Sequence, residues 1–582
     1  MSLTRRVASL PLLAAAGAAL AGCAGRPAGS ADTTLQPADT GAAQVSTKAE
    51  PADLVVYGRV WTGDSARPWA SALAISGDRI VAVGDSAEVA ALVGTGTEVL
   101  ANGGGLVAPG FNDGHVHFHD GGMQLARVDL RDAKTPAEFV ARLKARAATL
   151  QPGEWILGGN WDHENWPGAP LPTRRWMDSV TPDNPVFVDR LDGHMGVANS
   201  KALELAKVTR TTKDVEGGTI VRDAGGDPTG VLKDAAMGLI YAVLPAPTPA
   251  QSDSAVARAT RWAASKGVTG VSAVSASWAE VAALRRAHAA GRLDTRVSVY
   301  VPIEVWRPMA DTLRARGPGD DMLRVAGVKG YVDGSLGSGT ALFDEPYEDD
   351  PNTRGLTVTP VDSLRKWIGG ADSAGLQVVV HAIGEKANTI LLDIYDSVAT
   401  AHGPRDRRFR VEHAQHLDPA DVPRFAKQGV IASMQPYHAI DDGRWAHKRL
   451  GDRVRNSYVF RGLLDTKAQV AFGSDWSVAP IDPILGIYAA VTRRTLDDKN
   501  PGGWLPEQKL TLDEALRAYT AGNAFAAYAE TKRGVLRPGM LADLVLLDRN
   551  LFEIAPETIR DAEVRATVVN GRVVYRAASP RI

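Results

Sequence analysis

The chain has 582 residues, more than one small hydrophobic core needs, so several structural units or one large barrel are expected. Its 65 Lys and Arg stand against 67 Asp and Glu, and the resulting net charge of -2 removes the basic footprint of a nucleic-acid binder. A single cysteine excludes an intrachain disulfide and a cysteine-built zinc site, so any metal must rest on histidine, carboxylate or a modified side chain.

Residues 1–22 read as a signal peptide. Arg5 and Arg6 precede an apolar stretch that ends in Leu20-Ala21-Gly22-Cys23. This four-residue pattern resembles the lipobox of bacterial lipoprotein precursors, in which the cysteine thiol is acylated and becomes the first residue of the mature chain. The expectation is an exported protein lipid-anchored at Cys23 in the cell envelope, on a periplasmic or extracellular face. A plain secretory signal is the alternative, and Thr4-Arg5-Arg6 is also a weak twin-arginine signature. Residues 23–52, rich in Ala, Gly, Ser, Thr and Pro, form the acylated cysteine and a flexible tether.

Short β-branched runs at 53–60, 72–75 and 79–83 are punctuated by Gly58, Gly63 and Gly77, and predict a small sheet. Runs at 542–547 and 565–569, with Asn570-Gly571 leading into 572–575, predict more strands at the other end. Neither end has enough strands for its own core, so 53–108 and 537–576 are expected to meet in one composite sheet domain.

Between the ends, apolar runs alternate with helical patterns, which marks an α/β chain with a parallel sheet. The runs lie at 106–111, 268–274, 296–301, 325–332, 377–380, 409–411, 430–434 and 469–472. Helical patterns include 252–265, 278–290, 361–374 and 387–401. Eight such strands predict a (β/α)₈ TIM barrel over 109–536, with reactive groups where strands end. More than a hundred residues separate the first run from the second, so about 124–250 is expected to be an inserted lobe between strands 1 and 2.

The polar residues fall at those strand ends. Pro109-Gly110-Phe111-Asn112-Asp113-Gly114-His115-Val116-His117 follows the first run, and in extended chain His115 and His117 face one side. His381 ends the fifth run, His413 the sixth, and Asp475 follows the eighth in Phe472-Gly473-Ser474-Asp475. Imidazoles and carboxylates at four apolar strand ends are costly unless paired or metal-bound, so they predict a shared metal ligand set. His119 continues the alternation and is a further ligand candidate. His163, His288, His402, His416, His438 and His447 are read as surface or supporting residues, with His438 the first exception.

These residues carry a family resemblance. The chain resembles the amidohydrolase superfamily, and within it amidohydrolase family 3, N-substituted formamide deformylases included. The motifs are Gly159-Asn160-Trp161-Asp162, Trp166-Pro167-Gly168, Asp192-Gly193-His194, Asp333-Gly334-Ser335, His381-Ala382-Ile383-Gly384, Glu412-His413-Ala414-Gln415 and Gly473-Ser474-Asp475-Trp476. Glu385 and Ser477 depart from the usual pattern, where Asp and Pro are commoner. The resemblance adds Lys329 as a strand-four ligand that can be carbamylated and bridge two metals. An ordinary lysine paired with Asp333 or Asp475, and a single metal, is the alternative. It also implies a donor at His194 above the metal, able to stabilise an oxyanion, and a composite β-sandwich formed by 53–108 and 537–576 beside the barrel.

Histidine and carboxylate suit Zn²⁺, and Mn²⁺, Fe²⁺ or Co²⁺ accept the same shell, as one or two ions. Such a cation lowers the pKa of water to about 7, making hydroxide at neutral pH. Asp475 would then serve as general base and acid. Trp161, Trp166 and Trp476 are candidates to line an apolar substrate pocket or to pack in the core. The expected activity is cleavage of a C–N bond in a linear amide or N-acyl amine. Hydrolysis of esters, lactones or cyclic ureides is one alternative, and a non-catalytic envelope protein that binds a small ligand is another. A homo-oligomer is compatible with the sequence.

Overall fold

The computed structural model describes residues 50–578. The signal peptide, Cys23 and nearly all of the tether lie outside the described residues. No helix among the described residues is long and apolar enough to cross a membrane.

Eight parallel strands form the central sheet: β1 (Phe111–Val116), β2 (Val268–Ala273), β3 (Arg296–Pro302), β4 (Leu323–Tyr331), β5 (Gln377–Ala382), β6 (Arg410–His413), β7 (Ile431–Met434) and β8 (Val470–Phe472). They pair in chain order from β1 to β8, a near-closed barrel. Their apolar runs are near-continuous because both faces are covered, Val378, Val379 and Val380 all being fully buried. Helices fill the crossovers. Thr248 and Ser277 form capping boxes with Gln251 and Glu280, which start the helices Pro249–Ser265 and Trp278–Ala289. The first of these begins three residues before the periodic pattern, since its opening turn is set by the Thr248 cap and Pro249 rather than by apolar spacing.

One strand differs from expectation. Residues 106–109 end the strand Glu98–Pro109, which pairs with Leu54–Trp61 and Leu544–Leu547, and barrel strand β1 starts only at Phe111. Pro109 has no N–H to carry a ladder onward, and the Gly110 N–H donates to Asp543 O (2.9 Å). A Cβ at Gly110 would meet the Thr269 side chain at 2.2 Å, so only glycine lets the chain pass this close to β2 on its way into the barrel.

Strands from both ends join in one seven-stranded sheet, in which Leu54–Trp61 and Glu98–Pro109 run parallel and every other neighbouring pair antiparallel. A separate six-stranded sheet is built from chain between β1 and β2, from Val128–Asp129 to Pro228–Asp234. It has its own core, around Phe139, Trp161, Trp166 and Val188.

Candidate metal centre

The barrel's seam closes where the ligands sit. β1 and β8 carry no regular ladder, but the Asp475 N–H donates to His115 O (2.8 Å), and the His117 N–H to Trp476 O (2.5 Å). Asp113 Oδ1 accepts the backbone N–H of Ser474 (2.8 Å) and of His115 (3.2 Å), stapling the same two segments. Asn523 donates to Asn112 O and Phe472 O (2.5 and 2.7 Å). Two of the candidate ligands, His413 and Asp475, hold left-handed backbone, φ 76° and 60°. Residues without glycine's freedom adopt it at a cost, and such strain collects at functional sites.

His115, His413 and Asp475, all buried, offer ligand atoms within 4.8 Å of one another. Asp475 Oδ1 lies 3.5 Å from His115 Nε2 and 3.3 Å from His117 Nε2, and Oδ2 lies 4.0 Å from His413 Nδ1. Burial pushes the pKa of His115 and of His413 well below the ordinary imidazole value, leaving neutral rings with lone pairs to give. Burial works against the Asp475 charge, yet His115 and His117 hold its carboxyl well below the usual range. Its Oδ1 has no hydrogen-bond partner in a buried position, an orphaned acceptor aimed among imidazoles. A neutral-nitrogen and carboxylate set of this kind fits a divalent cation such as zinc.

His381 and Lys329 stand at the edge of this group. The His381 ring is 4.5 Å from that of His413, centroid to centroid, with its Nε2 on Gly334 O (3.0 Å), which leaves Nδ1 as the uncommitted nitrogen. Lys329 Nζ is 3.5 Å from His115 Nε2 and 4.4 Å from the Tyr331 ring centroid. Burial lowers its pKa to about 8. It pairs with neither Asp333 nor Asp475: Asp333 instead accepts backbone N–H groups from Leu342, Ile383 and Gly384.

From the six-stranded sheet, His194 reaches the same cavity, its ring 5.0 Å from that of His381. Its Nδ1 is 2.6 Å from Asp234 Oδ1. Burial opposes its charge, but the bond to Asp234, with Asp192 and Asp333 nearby, raises its pKa. The cavity, about 730 Å³, also reaches Tyr331, Glu304, Asp120, Arg127 and Asp189.

The tryptophans sit elsewhere. Trp161 and Trp166 stack inside the core of the six-stranded sheet, their indole N–H groups donating to Val188 O (2.9 Å) and Ala133 O (2.8 Å). With the large faces buried and the donors spent, neither lines the cavity; they are core residues. Trp476 packs edge-on against Phe118 and over Gly121, behind the site. The aromatic walls of the cavity come from Tyr331 and Tyr241, while Trp445 and His438 line a smaller pocket that also touches His194, His413 and Asp475. His438 is half-buried, with its Nε2 shielded from solvent and unpaired, in a ring plane nearly parallel to His413 at 6.5 Å. His119 is not on a strand face: the chain turns into the helix Phe118–Gln124 at His117, which carries His119 away from the first pair. His163 and His416 are buried rather than superficial, and burial pulls their pKa values down to about 2 and about 3.

Three supporting groups had no assigned role in the sequence. Glu412 Oε2 holds His115 Nδ1 at 2.5 Å, presenting Nε2 toward Asp475, and Arg410 holds Glu412 in turn (2.7 Å). The signal was present: Arg410 and Glu412, two apart in an apolar strand, face the same side. Gln435 Oε1 lies 2.8 Å from His413 Nδ1.

The model of the amidohydrolase family matches residues 98–575. Protein LONG AFTER FAR-RED 3 of Arabidopsis thaliana is 40% identical, covering 90% of this chain and 91% of its own. The N-substituted formamide deformylase of Arthrobacter pascens is 29% identical over 90% of this chain and 98% of its own. The crystal structure of an uncharacterized metal-dependent hydrolase from Pyrococcus horikoshii superposes with a TM-score of 0.70 at 32% identity, covering 86% of this chain and 99% of that one. With a near-closed parallel barrel and neutral imidazoles gathered around one carboxylate at its mouth, the chain belongs to the amidohydrolase family, as a metal-dependent hydrolase acting on carbon–nitrogen bonds.

Proposed function

We propose that the protein hydrolyses a linear amide or N-acyl amine, releasing a carboxylate and a free amine. The observation that carries this reading is the buried, unpaired Asp475 Oδ1 within 3.5 Å of two imidazoles. His115, His117, His381, His413 and Asp475 would hold one or two divalent ions, zinc first among them, with Lys329 as a bridging carbamate. Burial favours this modification, because CO₂ adds to the neutral amine and Lys329 has a pKa of about 8. When bound, the metal lowers the pKa of water and polarises the carbonyl.

The remaining chemistry belongs to the chain. Asp475 takes a proton as water adds to the carbonyl carbon and returns it to the nitrogen as the C–N bond breaks. His194, with Nδ1 on Asp234, has Nε2 free to donate to the developing oxyanion. Arg190 and Ser335 both bond Asp192 Oδ2 (2.7 and 2.5 Å), which fixes the turn carrying His194. The deformylase named above, similar over most of both chains, supports an N-acyl or N-formyl substrate.

The test is a panel of N-formyl, N-acetyl and longer N-acyl amines beside matched esters, assayed before and after chelation and after metal return. Amine release that is abolished by chelation and restored by zinc is expected; ester cleavage without amide cleavage would overturn the substrate class. We also propose envelope anchoring through Cys23, on the strength of Leu20-Ala21-Gly22-Cys23. Cys23→Ser should move the protein from the membrane fraction to the soluble one, and an unchanged distribution would refute the anchor.

A further inference from the structure

Beyond the centre described above, a second group of ligand-type side chains lies at the barrel mouth and shares no residue with it. His119, on the helix after β1, is only 6% exposed, and neither of its ring nitrogens has a hydrogen-bond partner. An imidazole shut away from water with both nitrogens idle forfeits what burial demands of a polar group. Its Nδ1 points at two carboxylates, Glu280 Oε1 at 3.6 Å and Asp120 Oδ1 at 3.7 Å. Both distances exceed a hydrogen bond. They lie close to the spacing of about 3.4 Å that follows for two ligands on one tetrahedral ion with metal–ligand bonds of about 2.1 Å.

The carboxylates are placed for such an ion. Glu280 is the third residue of the helix after β2, and its Oε2 is committed to the Ser277 N–H of the capping box (3.3 Å), which leaves Oε1 facing His119. Neither Glu280 nor Asp120 forms an ion pair with lysine or arginine among the described residues. One neutral imidazole and two carboxylates balance the charge of one divalent cation. Asp120 also borders the 730 Å³ cavity, so an ion there can exchange with solvent and keep a position open.

We propose that His119, Asp120 and Glu280 form an accessory site for a divalent first-row cation, zinc in the first instance, separate from the catalytic centre. An ion there fastens the helix Phe118–Gln124, which directly follows His117, to the helix Trp278–Ala289. It thereby ties the loops after β1 and β2 together at the rim of the substrate cavity.

Zinc is titrated into chelated full-length protein, and bound equivalents and affinities are measured for wild type, Glu280→Gln, His119→Leu and His413→Ala. Glu280→Gln keeps the acceptor for the Ser277 cap. Both accessory-site variants are expected to bind one equivalent fewer than wild type, or to bind it about tenfold or more weakly. His413→Ala should retain that equivalent while losing affinity at the catalytic centre. Stoichiometry is independent of turnover, so a failure of the amide panel leaves this result readable. Zinc-edge anomalous diffraction from wild-type crystals decides the matter even if a variant fails to fold. A peak within bonding distance of His119 and Glu280 is expected. No peak there, or identical zinc binding by wild type and both accessory-site variants, would overturn the proposal.

Discussion

Trp161 in the core of the six-stranded sheet and His115 at the barrel mouth are buried to the same depth, yet their surroundings are in opposite states of satisfaction. Trp161 and His115 are both 0% exposed. Trp161 spends its one donor on Val188 O and stacks on Trp166, and no polar atom of it is left over. At the mouth His115 is pinned by Glu412 while its other nitrogen faces Asp475, whose Oδ1 has no partner. Since an unpaired buried polar atom costs about 1–3 kcal/mol, a carboxylate oxygen left without a partner among neutral imidazoles is an arrangement that a cation would satisfy. Burial alone therefore says little about function; burial with an orphaned atom says a great deal.

The sharpest way to break this contrast is at Asp475. Asp475→Asn keeps size and burial but removes the proton acceptor, and amide turnover is expected to fall by about 10²–10⁴-fold. Thermal melting should stay near that of wild type. An unaltered rate with full metal content would remove Asp475 from the chemistry. The opposite outcome is expected at Trp161. Trp161→Ala empties a large volume from a closed core, so stability should drop by about 3–5 kcal/mol in denaturant titration, with turnover per folded molecule retained. A selective loss of turnover instead would return Trp161 to the substrate pocket.

Much of the mouth was legible in the chain, because ligands at strand ends interrupt apolar runs and the interruption is visible in one dimension. His381 after Val378-Val379-Val380 is such a break, and so is His413 after Arg410-Val411-Glu412. The tryptophans were ambiguous for the opposite reason: an indole in a core and an indole in a pocket have the same neighbours in sequence and differ only in where N–H points. The misplaced first strand has a similar origin. The apolar run across 106–111 is continuous, while the change from end sheet to barrel takes place at Pro109-Gly110 within it. His119 went astray because alternation was carried past His117, where the backbone has already turned helical. Glu412 had its signal in the charged pair two apart, but its partner His115 lies 297 residues away, and no local pattern joins them.

That partnership makes the next test. Glu412→Gln leaves a group that can still meet His115 Nδ1 through its carbonyl oxygen, but without the charge that raises the basicity of Nε2. Metal affinity is expected to weaken about 10–100-fold, read by competition with a calibrated chelator, with little loss in turnover at saturating metal. An unchanged affinity would mean that Glu412 serves only to neutralise Arg410.

The smallest expected effect lies far from the mouth, at a polar group that is both satisfied and half-exposed. Glu514 accepts from Arg461 through both oxygens, one bond being 2.9 Å, and its Oε2 also accepts the Thr511 N–H (2.8 Å) in a capping box. The Arg461 bonds, opposed by partial burial, hold its pKa down to about 2, against 4.5 for the free side chain. A carboxyl whose pKa is lower in the folded chain lends stability in full above pH 4.5, and that contribution fades as pH falls from 4.5 toward about 2. Water screens the pair, so its worth at neutral pH is about 0.2–1 kcal/mol. Wild type and Glu514→Gln should therefore differ by that amount in denaturant titration at pH 7 and converge as acid protonates Glu514. Metal release at low pH affects both proteins alike and cancels in the difference. A gap that stayed constant down to pH 2.5 would show that it does not arise from the charge Arg461 meets on Glu514, and no gap at pH 7 would show that the helix cap, which glutamine can also make, is all that Glu514 supplies.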